Sequence, residues 1–207
     1  MTSPSHRRPK AVIFDLGKVL LHFDFSIAAR AIAPLTRVDS ERVRIAIDQS
    51  PLLHDLESGR IGFDRFIDEA RALTGYSGDN DTFRRLFADI FEPIQDMVGF
   101  HASLRDAGIP TYILSNTNDV AIDFVRAHHP FFNTFTGHVL SYEVGCMKPA
   151  APIYEATEHL AGLSGADLLF IDDRPENVEA AWARGWQGII HHDPAVTIRE
   201  CQARLGA

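Results

Sequence analysis

Three short apolar runs end in polar residues, and this recurrence restricts the fold more than any other feature of the chain. Val12, Ile13 and Phe14 run into Asp15; TYILSN (111–116) runs into Ser115 and Asn116; LLFIDD (168–173) runs into Asp172 and Asp173. Each run has the length and the β-branched or apolar content of a buried strand. A helix pattern follows the second run through Val120, Phe124 and Val125. Another follows the third, from near Pro175 through Val178, Ala181 and Trp182. QGIIHH (187–192) reads as a last strand, and the tail from Pro194 as a short helix. Strands and helices in alternation predict a doubly wound parallel α/β sheet.

Between Phe23 and about Ile94 the alternation stops. FDRFIDEARAL places Phe63, Phe66, Ile67, Ala70 and Leu73 on one helical face, and DTFRRLFADIF repeats the pattern with Phe83, Leu86, Phe87 and Ile90. Residues 26–48 add two further helical patterns. The expected organisation is an α/β core made of residues 1–22 and 95–207, interrupted after its first strand by an all-α insertion at 23–94. MTSPSHRRPK reads as a loose tail before the first strand.

Composition excludes several function classes. The 207 residues are 45% apolar and 23% charged with a net charge of -8, which argues against nucleic acid or a membrane surface as the main partner, since both select basic patches. Cys146 and Cys201 follow no metal-ligand or redox spacing, so a reduced, cytoplasmic protein is expected. No apolar stretch approaches the roughly 20 residues that span a bilayer.

Ligands of open parallel sheets bind outside the carboxyl ends of the strands. If the three strands are neighbours, Asp15, Ser115, Asn116, Asp172 and Asp173 converge there. Three carboxylates in one pocket repel one another without a cation. Mg²⁺ suits such a site because it takes oxygen ligands and keeps several waters. Lys148, held just before Pro149, is a candidate counter-charge.

FDLGKVL, LSNTN, the Lys148-Pro149 stretch with APIY, and FIDDRPENVEAA are similar, in order and spacing, to the four motifs of the haloacid dehalogenase-like hydrolase superfamily. DLG in place of DxD, with LSNTN second, resembles the branch containing sugar-phosphate phosphatases such as α-D-glucose-1-phosphate phosphatase. The resemblance implies a Rossmann-like core with a helical cap. It further implies a Mg²⁺-dependent phosphomonoester hydrolase acting on a small phosphorylated metabolite such as a sugar phosphate. Asp15 would be the nucleophile that forms an aspartyl-phosphate. Ser115 and Asn116 would hold phosphoryl oxygens, and Lys148 would neutralise nucleophile and phosphate together. Asp15, the Gly17 carbonyl and Asp173 would bind the metal, with Asp172 close by or acting through water. A monomer or weak dimer is expected.

Gly17 departs from the superfamily pattern, in which that position is an aspartate that protonates the leaving alcohol and later activates water. A positioned acid–base group contributes about 10²- to 10⁴-fold. The substitution leaves the source of the proton open among Lys18, His22 and the insertion. It also keeps two alternatives in play: a 2-haloacid dehalogenase, whose branch also lacks that aspartate, and a binding protein without catalysis. A retained acid pair at 172 and 173 is unexplained by dehalogenation, which needs no metal. Of the remaining polar residues, His191 and His192 would point to opposite sides of a strand and are expected at the surface rather than as a chelating pair. Glu57, Gly59 and Arg60 fall between helical patterns, where a loop of the insertion could dip into the pocket. Arg60 is expected to be a solvated turn residue.

Overall fold

The computed structural model describes residues 7–206; residues 1–6 of the expected N-terminal tail lie outside the described residues. Its centre is a five-stranded, all-parallel sheet in the order β5-β4-β1-β6-β7. These strands are β1 (Ala11–Phe14), β4 (Thr111–Ser115), β5 (Gly137–Leu140), β6 (Leu168–Asp172) and β7 (Gln187–Ile190). Every residue of β1 is fully buried, as befits a parallel strand covered on both faces. Its alternation divides the core. Val12 and Phe14 pack with Met97, Phe100 and Leu104 of α6 (Gln95–Asp106) and with Cys201 and Leu205 of α11 (Pro194–Leu205). Ala11 and Ile13 pack on the other face with Ile153 and Tyr154 of α9 (Ala151–Ala161) and Ala181 of α10 (Pro175–Ala183). Strands are added to one side of β1 and then to the other, which puts the switch point of the winding beside it.

The insertion carries its own hydrophobic core, built by five helices: α1 (Phe25–Ile32), α2 (Ser40–Arg44), α3 (Pro51–Glu57), α4 (Phe63–Thr74) and α5 (Asn80–Ala88). Asp24, Asp39, Ser50 and Asp79 each accept a backbone N–H of the helix that follows, satisfying donors that have no partner within it. Phe63, Phe66, Phe83 and Phe87 interlock with ring centroids 5.1–6.4 Å apart. A π-helical turn, Ile45–Gln49, leads α2 toward α3.

Three details differ from the sequence reading. Leu73 is 60% exposed, because the turn of α4 brings Thr74 rather than Leu73 onto the buried stripe. The stretch 23–94 is not wholly helical: β3 (Phe91–Pro93) pairs antiparallel with β2 (Leu21–Phe23), a ribbon at the base of the insertion too short to show periodicity. His191 is buried rather than at the surface, its ring Nδ1 2.8 Å from the Thr197 hydroxyl, while His192 is exposed. Among the described residues, no helix is long and apolar enough to cross a membrane.

Candidate functional site

The parallel register sets the ends of three strands level. Phe14 pairs with Ile113 on one side and Ile171 on the other, so the residues just beyond them come together. The Asp15 N–H donates to the Ile171 carbonyl at 2.8 Å, which fixes the first residue after β1 beside Asp172. Lys148 arrives from the loop before α9. Its Nζ donates to Asp15 Oδ1 (2.8 Å), Asp172 Oδ2 (2.7 Å) and the Leu114 carbonyl (2.9 Å), using all three ammonium hydrogens to tie β1, β6 and β4 together. Lys148 thus faces Asp15 and Asp172 at once.

The two aspartates that share this ammonium are not equivalent. Asp172 is fully buried. Both its oxygens accept from the Asn177 amide (3.0 Å each), Oδ1 also from the Arg174 N–H (2.8 Å), and Oδ2 from Lys148. Four acceptor positions are therefore filled, and the side chain holds Lys148 and the start of α10 in place. Asp15 accepts Lys148 and the Leu16 N–H, both at Oδ1, leaving Oδ2 without a partner among the described residues. Asp173 is half-buried at the cavity wall.

The carboxylates of Asp15, Asp172 and Asp173 each place an oxygen within 4.8 Å of the others. One ammonium faces three acids, and the imbalance shows in their protonation. Burial pushes the Asp15 carboxyl up to about 8, against the pull of Lys148 and with Asp172 and Asp173 adding to the rise. Burial, then Asp172, raises Asp173 as well. Burial works against the Lys148 ammonium, but Asp15 and Asp172 outweigh it and hold its pKa above the usual value. A buried oxygen-donor set with surplus negative charge fits a hard divalent cation. Gly17 lies on the same wall, and its carbonyl accepts no backbone hydrogen bond in the turns and loops among the described residues.

The cavity over these groups has a volume of about 230 Å³ and opens directly onto Asp15, Gly17, Lys148 and Asp173. Asn116 borders it and is locked to the lysine loop: its Oδ1 accepts the Lys148 N–H (2.7 Å) and its Nδ2 donates to the Lys148 carbonyl (3.1 Å). One amide hydrogen remains to meet a ligand. Ser115 is buried and faces an adjoining recess of about 50 Å³ shared with Gly17, Asn116 and Glu57. A larger cavity of about 600 Å³ lies between α5 and α7 (Asp119–His128); it touches none of the three clustered acids, so size does not mark the site.

Four residues of the site were not singled out in the sequence for the tasks they have here. Asn177, which pins Asp172, is buried in the first turn of α10, but with Glu176 and Val178 beside it the sequence gives no sign of that burial. Phe23 fills the space in front of Gly17: a Cβ there would meet its ring at 2.6 Å. Ser141, at the start of α8 (Ser141–Val144), donates to the Glu57 carbonyl at 2.5 Å and accepts the Thr117 N–H at 2.9 Å. Glu57 itself, flagged only as part of a loop, lines both the cavity and the recess. Arg60 is exposed and paired with Asp55, in keeping with a solvated turn residue; His22 lines a separate neighbouring cavity.

Several known proteins resemble this chain over most of its length. A sesquiterpene phosphatase of Aspergillus oryzae is 27% identical over 95% of this chain and 97% of its own. A D-ribitol-5-phosphate phosphatase of Bacteroides thetaiotaomicron is 23% identical over 86% and 89%. The crystal structure of a Bacteroides thetaiotaomicron enzyme with magnesium and inorganic phosphate superposes with a TM-score of 0.79 at 22% identity, covering 89% of this chain and 94% of that one. The haloacid dehalogenase-like hydrolase profile matches residues 9–183, from the start of β1 through the end of α10 and thus across every strand end that builds the cavity. The chain belongs to the haloacid dehalogenase-like hydrolase family.

Proposed function

We propose that the protein is a Mg²⁺-dependent phosphomonoester hydrolase that works through an aspartyl-phosphate on Asp15. The observation that carries this reading is the buried cluster in which Asp15 keeps one free oxygen while the Leu16 N–H and Lys148, itself held by Asp172, fix the other. In this scheme Asp15 Oδ2 attacks phosphorus and the bond to the leaving oxygen breaks; water then cleaves the acyl phosphate and restores the carboxylate. Lys148 neutralises charge on nucleophile and phosphoryl group, and Ser115 with the remaining amide hydrogen of Asn116 meets phosphoryl oxygens. Asp15, the Gly17 carbonyl and Asp173 would hold Mg²⁺, which supplies charge neutralisation of the phosphoryl oxygens. Asp172, whose acceptor positions are filled by protein donors, acts through Lys148. Residues 23–94 form a cap over the cavity of the 1–22 and 95–207 core.

The two curated relatives support a phosphate ester as the substrate class. A cavity of about 230 Å³ suits a small phosphorylated metabolite, a sugar or polyol phosphate among them. The test is hydrolysis of p-nitrophenyl phosphate with Mg²⁺ and with EDTA, beside Asp15→Asn. Wild type is expected to be active only with the metal, and the folded variant to be inactive. Equal rates in wild type and variant would remove Asp15 as nucleophile, and EDTA-resistant turnover of a 2-haloacid would install the dehalogenase reading instead.

A further inference from the structure

A hydrolysed alkyl phosphate releases an alkoxide unless a proton reaches the ester oxygen as the bond breaks, and Gly17 offers none. The cavity wall holds few groups able to donate. Lys18 lines it, but its Nζ is tethered to the Phe23 carbonyl and rests over the Phe23 ring, 4.5 Å from the centroid. Asp15, Asp173 and Lys148 already have tasks. The remaining carboxylate is Glu57, which ends α3 and comes from the insertion rather than the core.

Three features place it. Glu57 lines the same cavity as Asp15 and Gly17, and also the recess that holds Ser115. Its main chain is fastened to the core: the fully buried Ser141 hydroxyl donates to the Glu57 carbonyl and is itself held by the Thr117 N–H, two residues beyond Ser115. Gly59 presses so closely on the start of α8 that a Cβ would sit 2.4 Å from the Tyr142 carbonyl oxygen, so only a glycine allows this approach. The Glu57 carboxyl makes no hydrogen bond or ion pair among the described residues, which leaves it open to a ligand.

We propose that Glu57 is the acid and base of this active site, delivered by the cap in place of the side chain missing at position 17. The proposal rests on the phosphatase reading above. In the first step the Glu57 carboxyl gives its proton to the ester oxygen while the P–O bond to the alcohol breaks and the Asp15 Oδ–P bond forms. In the second the Glu57 carboxylate takes a proton from water, whose oxygen bonds to phosphorus as the Asp15–phosphorus link breaks. Phosphate leaves, Asp15 is again a carboxylate and Glu57 is again protonated, so the cycle closes with one water consumed.

The electrostatic surroundings suit the task. Burial pushes the Glu57 carboxyl up to about 7, with Asp48 adding to the rise and Lys148 and Arg174 opposing it. Asp15, Asp173 and Lys18 face the same cavity. An acid poised near neutrality is at the optimum for proton transfer in both directions. The arrangement also couples chemistry to closure, because the proton donor is present only while the cap turn is seated on Ser141.

The experiment compares kcat/KM for n-butyl phosphate and p-nitrophenyl phosphate, each with Mg²⁺, in wild type, Glu57→Gln and Glu57→Asp. Glu57→Gln should lower the alkyl kcat/KM by about 10²- to 10⁴-fold and the aryl kcat/KM far less, since p-nitrophenolate departs without a proton, and it should lower kcat on both esters because the hydrolysis of the shared intermediate loses its base. The fall of the alkyl kcat/KM as pH rises through neutrality should be present in wild type and absent in Glu57→Gln. Glu57→Asp keeps an acid on a shorter arm and should recover part of the alkyl rate, which separates chemistry from a folding defect. Equal losses of kcat/KM on both esters, or no loss on either, would overturn the role of Glu57 and leave the phosphatase reading intact. Wild type inactive on both esters would overturn that reading and this one together.

Discussion

Position 17 shows how one residue governs two properties. Its φ is not left-handed, so the backbone there would accept a side chain; what excludes one is the Phe23 ring, 2.6 Å from where a Cβ would stand. Phe23 in turn packs edge-on against Phe25 and tilted against Phe91, at 5.8 and 6.0 Å, so it cannot swing away freely. Gly17→Asp is therefore expected to destabilise by about 1–3 kcal/mol through overpacking. For a chain of this size that is a fall in Tm of roughly 2–4 °C per kcal/mol. Phe23→Leu also costs stability, but it makes room. Gly17→Asp with Phe23→Leu should lose less than the sum of the single changes, because the two sites share one contact. Additive losses in thermal melts would show that Phe23 is not what keeps position 17 bare.

At the scale of elements, the sheet is clamped by helices whose polar residues are buried with single partners. His101 of α6 is 1% exposed, stacks on Phe135 with centroids 3.7 Å apart, and meets the Thr111 hydroxyl at 3.1 Å. Burial lowers its pKa to about 4, with Arg105 adding to the fall. An unfolded chain holds a proton on this ring from about pH 6.5 downward, whereas the folded one takes it only near 4. Stability from this group is thus complete above about pH 6.5 and is lost as pH falls toward 4, by up to about 3 kcal/mol. His101→Gln should flatten the acid limb of denaturant-derived stability between those values; an unchanged slope would mean the ring is not the group that titrates. The helical pattern of 95–106 is visible in the sequence, but the burial of one histidine on it follows from which strand it crosses.

Over the whole molecule, the clustered acids at the strand ends repel one another in the absence of a cation. Anything that binds the folded chain there stabilises it by mass action, by about 2.7 kcal/mol when its concentration is a hundred times its Kd. Saturating Mg²⁺ should accordingly raise Tm by several degrees over EDTA, and Asp173→Ala should abolish most of the rise without lowering the EDTA value, since it removes one of the repelling charges. An equal shift in both proteins would move the metal away from Asp173. The cap shares in this because Ser141 joins Glu57 to Thr117 across 84 and 24 residues of chain.

The sheet, the helical insertion and the polar strand ends were legible in the amino-acid sequence because they are local or periodic. A buried strand must be a short apolar run, a helix facing a core must repeat every three to four residues, and an acid at a strand end stands out against both. Asp15, Asp172 and Asp173 can be found in this way, and Lys148 can be offered as their counter-charge from the sequence alone. The tertiary structure alone decided how the shared charge is divided. It filled the oxygens of Asp172 with Asn177, Arg174 and Lys148, left one oxygen of Asp15 free, and turned Asn116 toward the lysine loop. It also brought Glu57 and Phe23 to the cavity that Gly17 lines. No spacing in the chain marks these contacts, because they are set by how a cap of five helices seats on a sheet, and seating is a property of whole surfaces rather than of neighbouring residues.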